Sequence, residues 1–112
     1  MVMMNEHEFQ KKCDATFEAL RNRLLELGDA NDFEVEGGSG KLEIEFADED
    51  ETRFVISPNA PVRQIWISAL TTSFKLGWSE SAQAFVQEKT GENLNQVMSR
   101  ILTEKLGTPI EV

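Results

Sequence analysis

The chain has 112 residues, 40% of them hydrophobic and 28% charged, which is enough for one domain with a modest core (residues 1–112) and too little for two. A formal net charge of −9 repels nucleic acid and anionic membranes, and no apolar run approaches the roughly 18 residues that a membrane-spanning helix needs. A single cysteine, Cys13, and a single histidine, His7, exclude an intrachain disulfide and any zinc or iron–sulfur centre built by one chain, so a bound metal has to be held by oxygen.

Asn5 followed by Glu8 reads as a helix-capping pair, and Phe9, Cys13, Phe17, Leu20, Leu24 and Leu27 recur at helical spacing until Gly28. The spacing predicts an amphipathic helix of about six turns that Gly28 ends, with a turn over Gly28-Asp29-Ala30-Asn31. Leu25 is an apolar intruder on its polar face. Cys13 lies between Phe9 and Phe17 on the apolar face and is expected to be a buried, inert thiol.

Phe33 to Glu36 and Lys41 to Ala47 alternate with period two around Gly37-Gly38-Ser39-Gly40. A four-residue loop would place Glu36 opposite Lys41, Val35 opposite Leu42, Glu34 opposite Glu43, Phe33 opposite Ile44 and Asp32 opposite Glu45. That register matches core to core, but it sets like charges across the strands, which destabilises a sheet. Asp48 to Glu51 reads as a turn. Arg53 to Ser57 is a third strand with Phe54 and Ile56 inward, followed by a loop bracketed by Pro58 and Pro61. Ser73 to Trp78 alternates again, with Phe74, Leu76 and Trp78 on the core side and Lys75 on the other, and Ala84 to Gln87 is a short strand. Asn93 with Gln96 repeats the capping signal for a last helix that buries Leu94, Val97, Met98, Ile101 and Leu102 and ends near Gly107. The fold class is therefore α+β: a two-layer sandwich with two terminal helices on one face of an antiparallel sheet of five to six strands.

Charge is distributed unevenly. Residues 29–51 hold ten acids and one base, whereas residues 1–28 hold five acids and four bases and residues 52–112 five acids and six bases. A solvated surface explains acids in general, but carboxylates facing one another call for a cation or a basic protein surface to relieve them. Carboxylates without imidazole or thiolate suit hard cations, at weak, multiple and poorly selective sites.

Alternation in the run Gln64-Ile65-Trp66-Ile67-Ser68 turns Ile65 and Ile67 inward and leaves Trp66 on the polar face with Gln64 and Ser68. Either the chain's own tail or a loop covers the ring, or another protein does, and a partner protein is the simpler account. Arg63 precedes this strand and is placed to pair with acids of neighbouring strands.

The run Pro61-Val62-Arg63-Gln64-Ile65-Trp66-Ile67-Ser68 resembles the central strand motif of the frataxin family, Pro-x-x-Gln-Ile-Trp-Ile/Leu-Ser. An acidic-flanked first helix, a Gly-rich hairpin, several short strands and a second helix near the C-terminus extend the likeness from about Glu6 to Leu106. The resemblance implies a monomeric, iron-binding accessory protein of iron–sulfur cluster assembly, with weakly bound iron, Fe(II) or Fe(III), and with a cysteine desulfurase and a scaffold protein as partners. The candidate metal ligands are the carboxylates Glu18, Glu26, Asp29, Asp32, Glu34, Glu36, Glu43 and Glu45, with His7 beside Glu6 and Glu8 as one added nitrogen donor, and the candidate partner-binding residues are Arg63, Gln64, Trp66, Ser68, Glu34 and Glu43. The family concentrates acids on the second half of the first helix and the first strand, whereas Arg21, Asn22, Arg23 and Leu25 stand here in that part of the helix. Only Glu18 and Glu26 remain there, so the acidic ridge is expected at the hairpin and the turn after it. The second family tryptophan is replaced by Phe85.

Two other readings compete. One is a ferroxidase, which needs a dinuclear site, and Glu-x-x-His spacing is absent from both helices. The other is an acidic interaction module that keeps the fold without iron chemistry. The N-terminal residues show neither a secretory signal nor an Arg-rich transit peptide, so a cytoplasmic protein fits best, although a processed mitochondrial chain would look similar.

Overall fold

The computed structural model describes residues 4–38, 40–47 and 52–112, so the acidic turn expected at 48–51 lies outside the described residues. Helix α1 (Glu6–Asn31) begins at Asn5, whose side chain accepts from the Glu8 amide at 2.8 Å. It buries Phe9, Cys13, Phe17, Leu20 and Leu24 on one stripe, as the spacing predicts. Gly28 does not end it. The helix runs on to Asn31 and stops at Asp32, which has left-handed backbone with φ 57°. Gly28 is instead buried inside the last turns, where a side-chain carbon would lie 2.6 Å from the Phe33 carbonyl oxygen. The glycine is there to let the chain fold back closely onto its own helix, a requirement that helical periodicity does not reveal.

Six strands follow: β1 (Phe33–Gly38), β2 (Lys41–Phe46), β3 (Arg53–Asn59), β4 (Gln64–Ala69), β5 (Thr72–Ser79) and β6 (Ala84–Gln87). They form a single sheet in chain order, every neighbour antiparallel. Helix α2 (Leu94–Leu106) closes the chain with a full capping box, Asn93 and Gln96 each accepting the other's backbone amide, and ends at Gly107. Pro58 lies within β3 rather than in a loop. The β2 ladder stops at Leu42 opposite Ile56, so at Pro58 the strand pairs only with β4 and tolerates a residue with no N–H. The loop proper is a single 3-10 turn at Ala60–Val62.

The hairpin register differs from the expected one by two residues. Glu34 faces Glu45, Val35 faces Ile44 and Glu36 faces Glu43, and pairing continues to Gly38 opposite Lys41. Gly37 takes φ 101°, and any side chain there would run into the Lys41 carbonyl, so the pairing reaches further toward the turn than a four-residue loop allows. A slip of two preserves which side chains face the core, and that is why the hydrophobic pattern was compatible with both registers.

One core lies between the helices and the sheet. Leu42, Ile44, Phe46, Phe54, Ile56, Ile65, Ile67, Phe74, Leu76 and Phe85 face the apolar stripes of α1 and α2. The tail joins them. Ile110 is buried; its amide donates to Thr103 Oγ1 at 2.9 Å, Arg23 donates to the Glu111 carbonyl at 2.6 Å, and the Val112 amide donates to Ser99 Oγ at 2.9 Å. The last residues thus tie α1 to α2. Cys13 is enclosed as expected, and burial, with a smaller push from Asp14, drives its thiol pKa up to about 12.

Candidate functional site on the open sheet face

Because both helices cover one face, every second residue of the strands points from the other face into solvent. On β1 and β2 these are Glu34, Glu36, Glu43 and Glu45. Glu34, Glu36 and Glu45 each bring a carboxylate oxygen within 4.8 Å of the others. Two of the three come from alternate positions of one strand and the third from the opposite strand, so the sheet itself fixes their spacing.

The acids of β2 are already partnered within the chain. Arg53, directly across from Glu45 on β3, lies 2.7 Å from it and 3.6 Å from Glu43, and Lys41 lies 3.1 Å from Glu43. Much of the repulsion expected to need an external cation is therefore relieved by the chain's own bases. Sequence reasoning missed Arg53, although its outward parity one strand along from Glu45 is the signal that marks it. Glu34 and Glu36 are exposed, and no carboxylate–base pair is formed by either among the described residues.

Asp29 and Asp32, at the end of α1, line a cleft of about 640 Å³ together with Glu34 and Glu45, floored by Phe33 and Phe46. The remaining predicted ligands stand apart from the three-carboxylate group. Glu26 pairs with Arg23 at 3.2 Å, Glu18 is exposed on α1, and His7 is exposed in the first helical turn. Leu25 is 37% exposed on the same helix.

Further along the face, Trp66 is 36% exposed, so that among the described residues neither the tail nor a loop encloses its ring. Its indole N–H donates to Gln64 Oε1 at 2.9 Å, which locks the ring against its own strand. Lys75, directly across on β5, holds its ammonium 4.8 Å from the ring centroid. Ser68 shares the face. Arg63 does not turn to the acids of neighbouring strands. It caps the 3-10 turn with φ 53° and donates to the Ala60 and Met4 carbonyls, a clasp between that turn and the N-terminus. Trp78 lies on the helix side, partly buried, with its ring edge-on to Phe85 at 5.2 Å and Lys12 over it.

Two helices behind a six-stranded antiparallel meander, with acids at one end of the uncovered face and a tryptophan near the middle, define an α+β sandwich of the frataxin type. Residues 2–108 match the family described as Frataxin-like domain, and the chain belongs to that family. It is 29% identical over 108 residues to the iron-sulfur cluster assembly protein CyaY of Pseudomonas putida strain GB-1, covering 96% of this chain and 94% of the relative. It is 27% identical over 109 residues to the protein of the same name from Janthinobacterium sp. strain Marseille, covering 96% and 95%. Among solved structures, a frataxin from Psychromonas ingrahamii superimposes with a TM-score of 0.73 at 17% identity, over 96% of this chain and 97% of that one, a likeness of fold. No described helix is long and apolar enough to cross a membrane.

Proposed function

We propose that this protein is an accessory factor of iron–sulfur cluster assembly that binds iron weakly through its sheet carboxylates and docks on the assembly machinery through the open face. The observation that carries the reading is the full-length similarity to proteins named for cluster assembly, joined to a three-carboxylate group and an exposed tryptophan on one surface. Iron is the cargo here. Glu34, Glu36 and Glu45 supply only oxygen donors, suited to Fe(III) and to the harder side of Fe(II) chemistry, and their exposure makes the site weak. The acids and the cleft beside α1 would lie against basic side chains of a cysteine desulfurase, while Trp66 and Gln64 meet the scaffold protein. Metal and basic partner then compete for the same carboxylates. We place this role in the cytoplasm, the compartment that fits the N-terminal sequence best.

The test is binding to the desulfurase of the same organism at low and high salt, with Trp66→Ala and the Glu34→Lys/Glu36→Lys pair alongside. Salt-sensitive binding that is lost in the charge-reversed pair is expected. No binding by the wild-type protein would sink the reading.

A second reading gains support from Arg53 and Lys41. Since they already neutralise Glu43 and Glu45, the face holds together without a metal, as an interaction module without iron chemistry would need. An Fe(II) titration followed by NMR separates the two: loss or shift of the Glu34, Glu36 and Glu45 signals belongs to the iron reading, and their constancy to the module.

A further inference from the structure

Glu34, Glu45 and Arg53 form one row across the sheet, directly opposite one another on β1, β2 and β3 and all on the open face. One guanidinium nitrogen of Arg53 lies 2.7 Å from Glu45 and another 3.6 Å from Glu43, so the arginine bridges both acids of β2. Glu45 is also one of the three carboxylates whose oxygens approach within 4.8 Å of one another. The same carboxylate is therefore claimed twice, by the chain's own cation and by any ion that Glu34 and Glu36 would share with it. Half of the Arg53 side chain lies in solvent, and an exposed pair of this kind is weak enough to yield to a competitor. Lys41 is placed differently, since it grips Glu43, which stands outside the three-carboxylate group. Four acids, Glu34, Glu36, Glu43 and Glu45, against two bases, Lys41 and Arg53, leave this part of the face with a charge of −2.

We infer that Arg53 is a valence filter: it occupies Glu45 in the metal-free protein, tolerates a divalent ion held mainly by Glu34 and Glu36, and opposes a trivalent ion, which needs Glu45 released. The inference rests on the iron reading above and concerns the charge state of the cargo that the site takes. Its physical basis is Coulombic. Repulsion between the guanidinium and a bound ion scales with the ion's charge, so at one geometry the same arginine opposes a trivalent ion about one and a half times as strongly as a divalent one. A divalent ion brings the −2 group to neutrality with Arg53 in place, whereas a trivalent ion leaves it positive unless Arg53 withdraws. Guanidinium stays protonated throughout the pH range in which the carboxylates are ionised, so the filter does not switch off with pH. For iron it favours the ferrous ion. Because the row lies at the surface, salt weakens the discrimination.

The test uses two hard ions that keep their oxidation state, Mn(II) and Tb(III), each titrated alone by calorimetry at low ionic strength. The proteins are the wild type, the neutral variants Arg53→Gln and Arg53→Thr, the charge-retaining Arg53→Lys, and the Glu34→Gln/Glu36→Gln pair, with thermal melting of each. Glutamine keeps most of the side chain's length and threonine suits a strand, so either neutral variant that folds carries the measurement. The expected result is Tb(III) affinity raised about tenfold in the neutral variants and Mn(II) affinity raised only about fivefold, the two-thirds power of the first gain, with both gains shrinking as salt is added. Arg53→Lys should keep the wild-type ratio of the two affinities. Equal gains for both ions, or a lowered melting temperature with both affinities unchanged, would overturn the filter; if Glu34→Gln/Glu36→Gln still weakens Mn(II) binding, the iron reading stands. Failure of the wild type and the neutral variants to bind either ion would overturn both.

Discussion

Replacing Gly28 by alanine sets two effects of opposite sign against each other. Gly28 lies inside α1, and in an unconstrained helix interior alanine is more stable than glycine by about 1 kcal/mol. Here the new methyl group would be 2.6 Å from the Phe33 backbone oxygen and 3.3 Å from two carbons of the Phe33 ring. The nearest atom belongs to the backbone, so relief requires moving the start of β1 away from the helix rather than rotating a side chain. Because the clash is with backbone, the overpacking cost falls in the upper part of its usual range, about 2–3 kcal/mol, and the net expectation after the alanine gain is destabilisation of roughly 1–2 kcal/mol. For a domain of this size that corresponds to a melting temperature lower by about 5–10 °C, with the urea midpoint lowered and its slope unchanged. Equilibrium urea unfolding followed by tryptophan fluorescence measures it. A stabilised variant would refute the argument, because it would mean that Gly28 is a simple helix-propensity defect and that β1 does not press on α1.

Three other outcomes follow from the same packing. Ile110→Ala removes a buried side chain that links the two helices, and should cost about 2–4 kcal/mol in chemical unfolding; a melting temperature equal to the wild type's would show that the tail adds no stability. Arg100 donates to Glu92 at 2.9 and 3.1 Å and thereby holds that carboxyl below the usual range. A depressed folded-state pKa contributes stability that is full above the ordinary carboxylate range, near pH 4.3, and is lost as pH falls through the lowered value. Arg100→Gln should therefore flatten the acid limb of the stability profile without steepening the neutral region, and parallel profiles would refute the pairing. The Cys13 thiol, buried and pushed up to about 12, should resist aromatic disulfide reagents at pH 8 in the native state and react only at the rate of unfolding, so rapid labelling of folded protein would contradict its enclosure.

Membership of the frataxin family was legible in a single strand. The motif around Trp66, an indole on the polar side of alternating isoleucines, survives because strand parity is a local rule that no distant contact can alter. For the same reason the apolar stripes of α1 and α2, the inward residues of every strand and the enclosure of Cys13 could be read directly from spacing. What spacing does not encode is translation along a ladder and contact between distant segments. A two-residue slip of the hairpin leaves every side chain on its face, so only the close approach at Gly37 distinguishes Glu34 opposite Glu45 from Glu34 opposite Glu43. Gly28 carries the composition of a helix stop, yet its place was decided by the Phe33 carbonyl folding back against it. Arg53 and Lys41 became counterions to the β2 acids, and Arg63 a clasp on the N-terminus, only once six strands lay side by side. Periodicity determines which way a side chain points; which groups it meets there depends on register and on the non-local approach of backbones, and these are set by packing across the whole sheet.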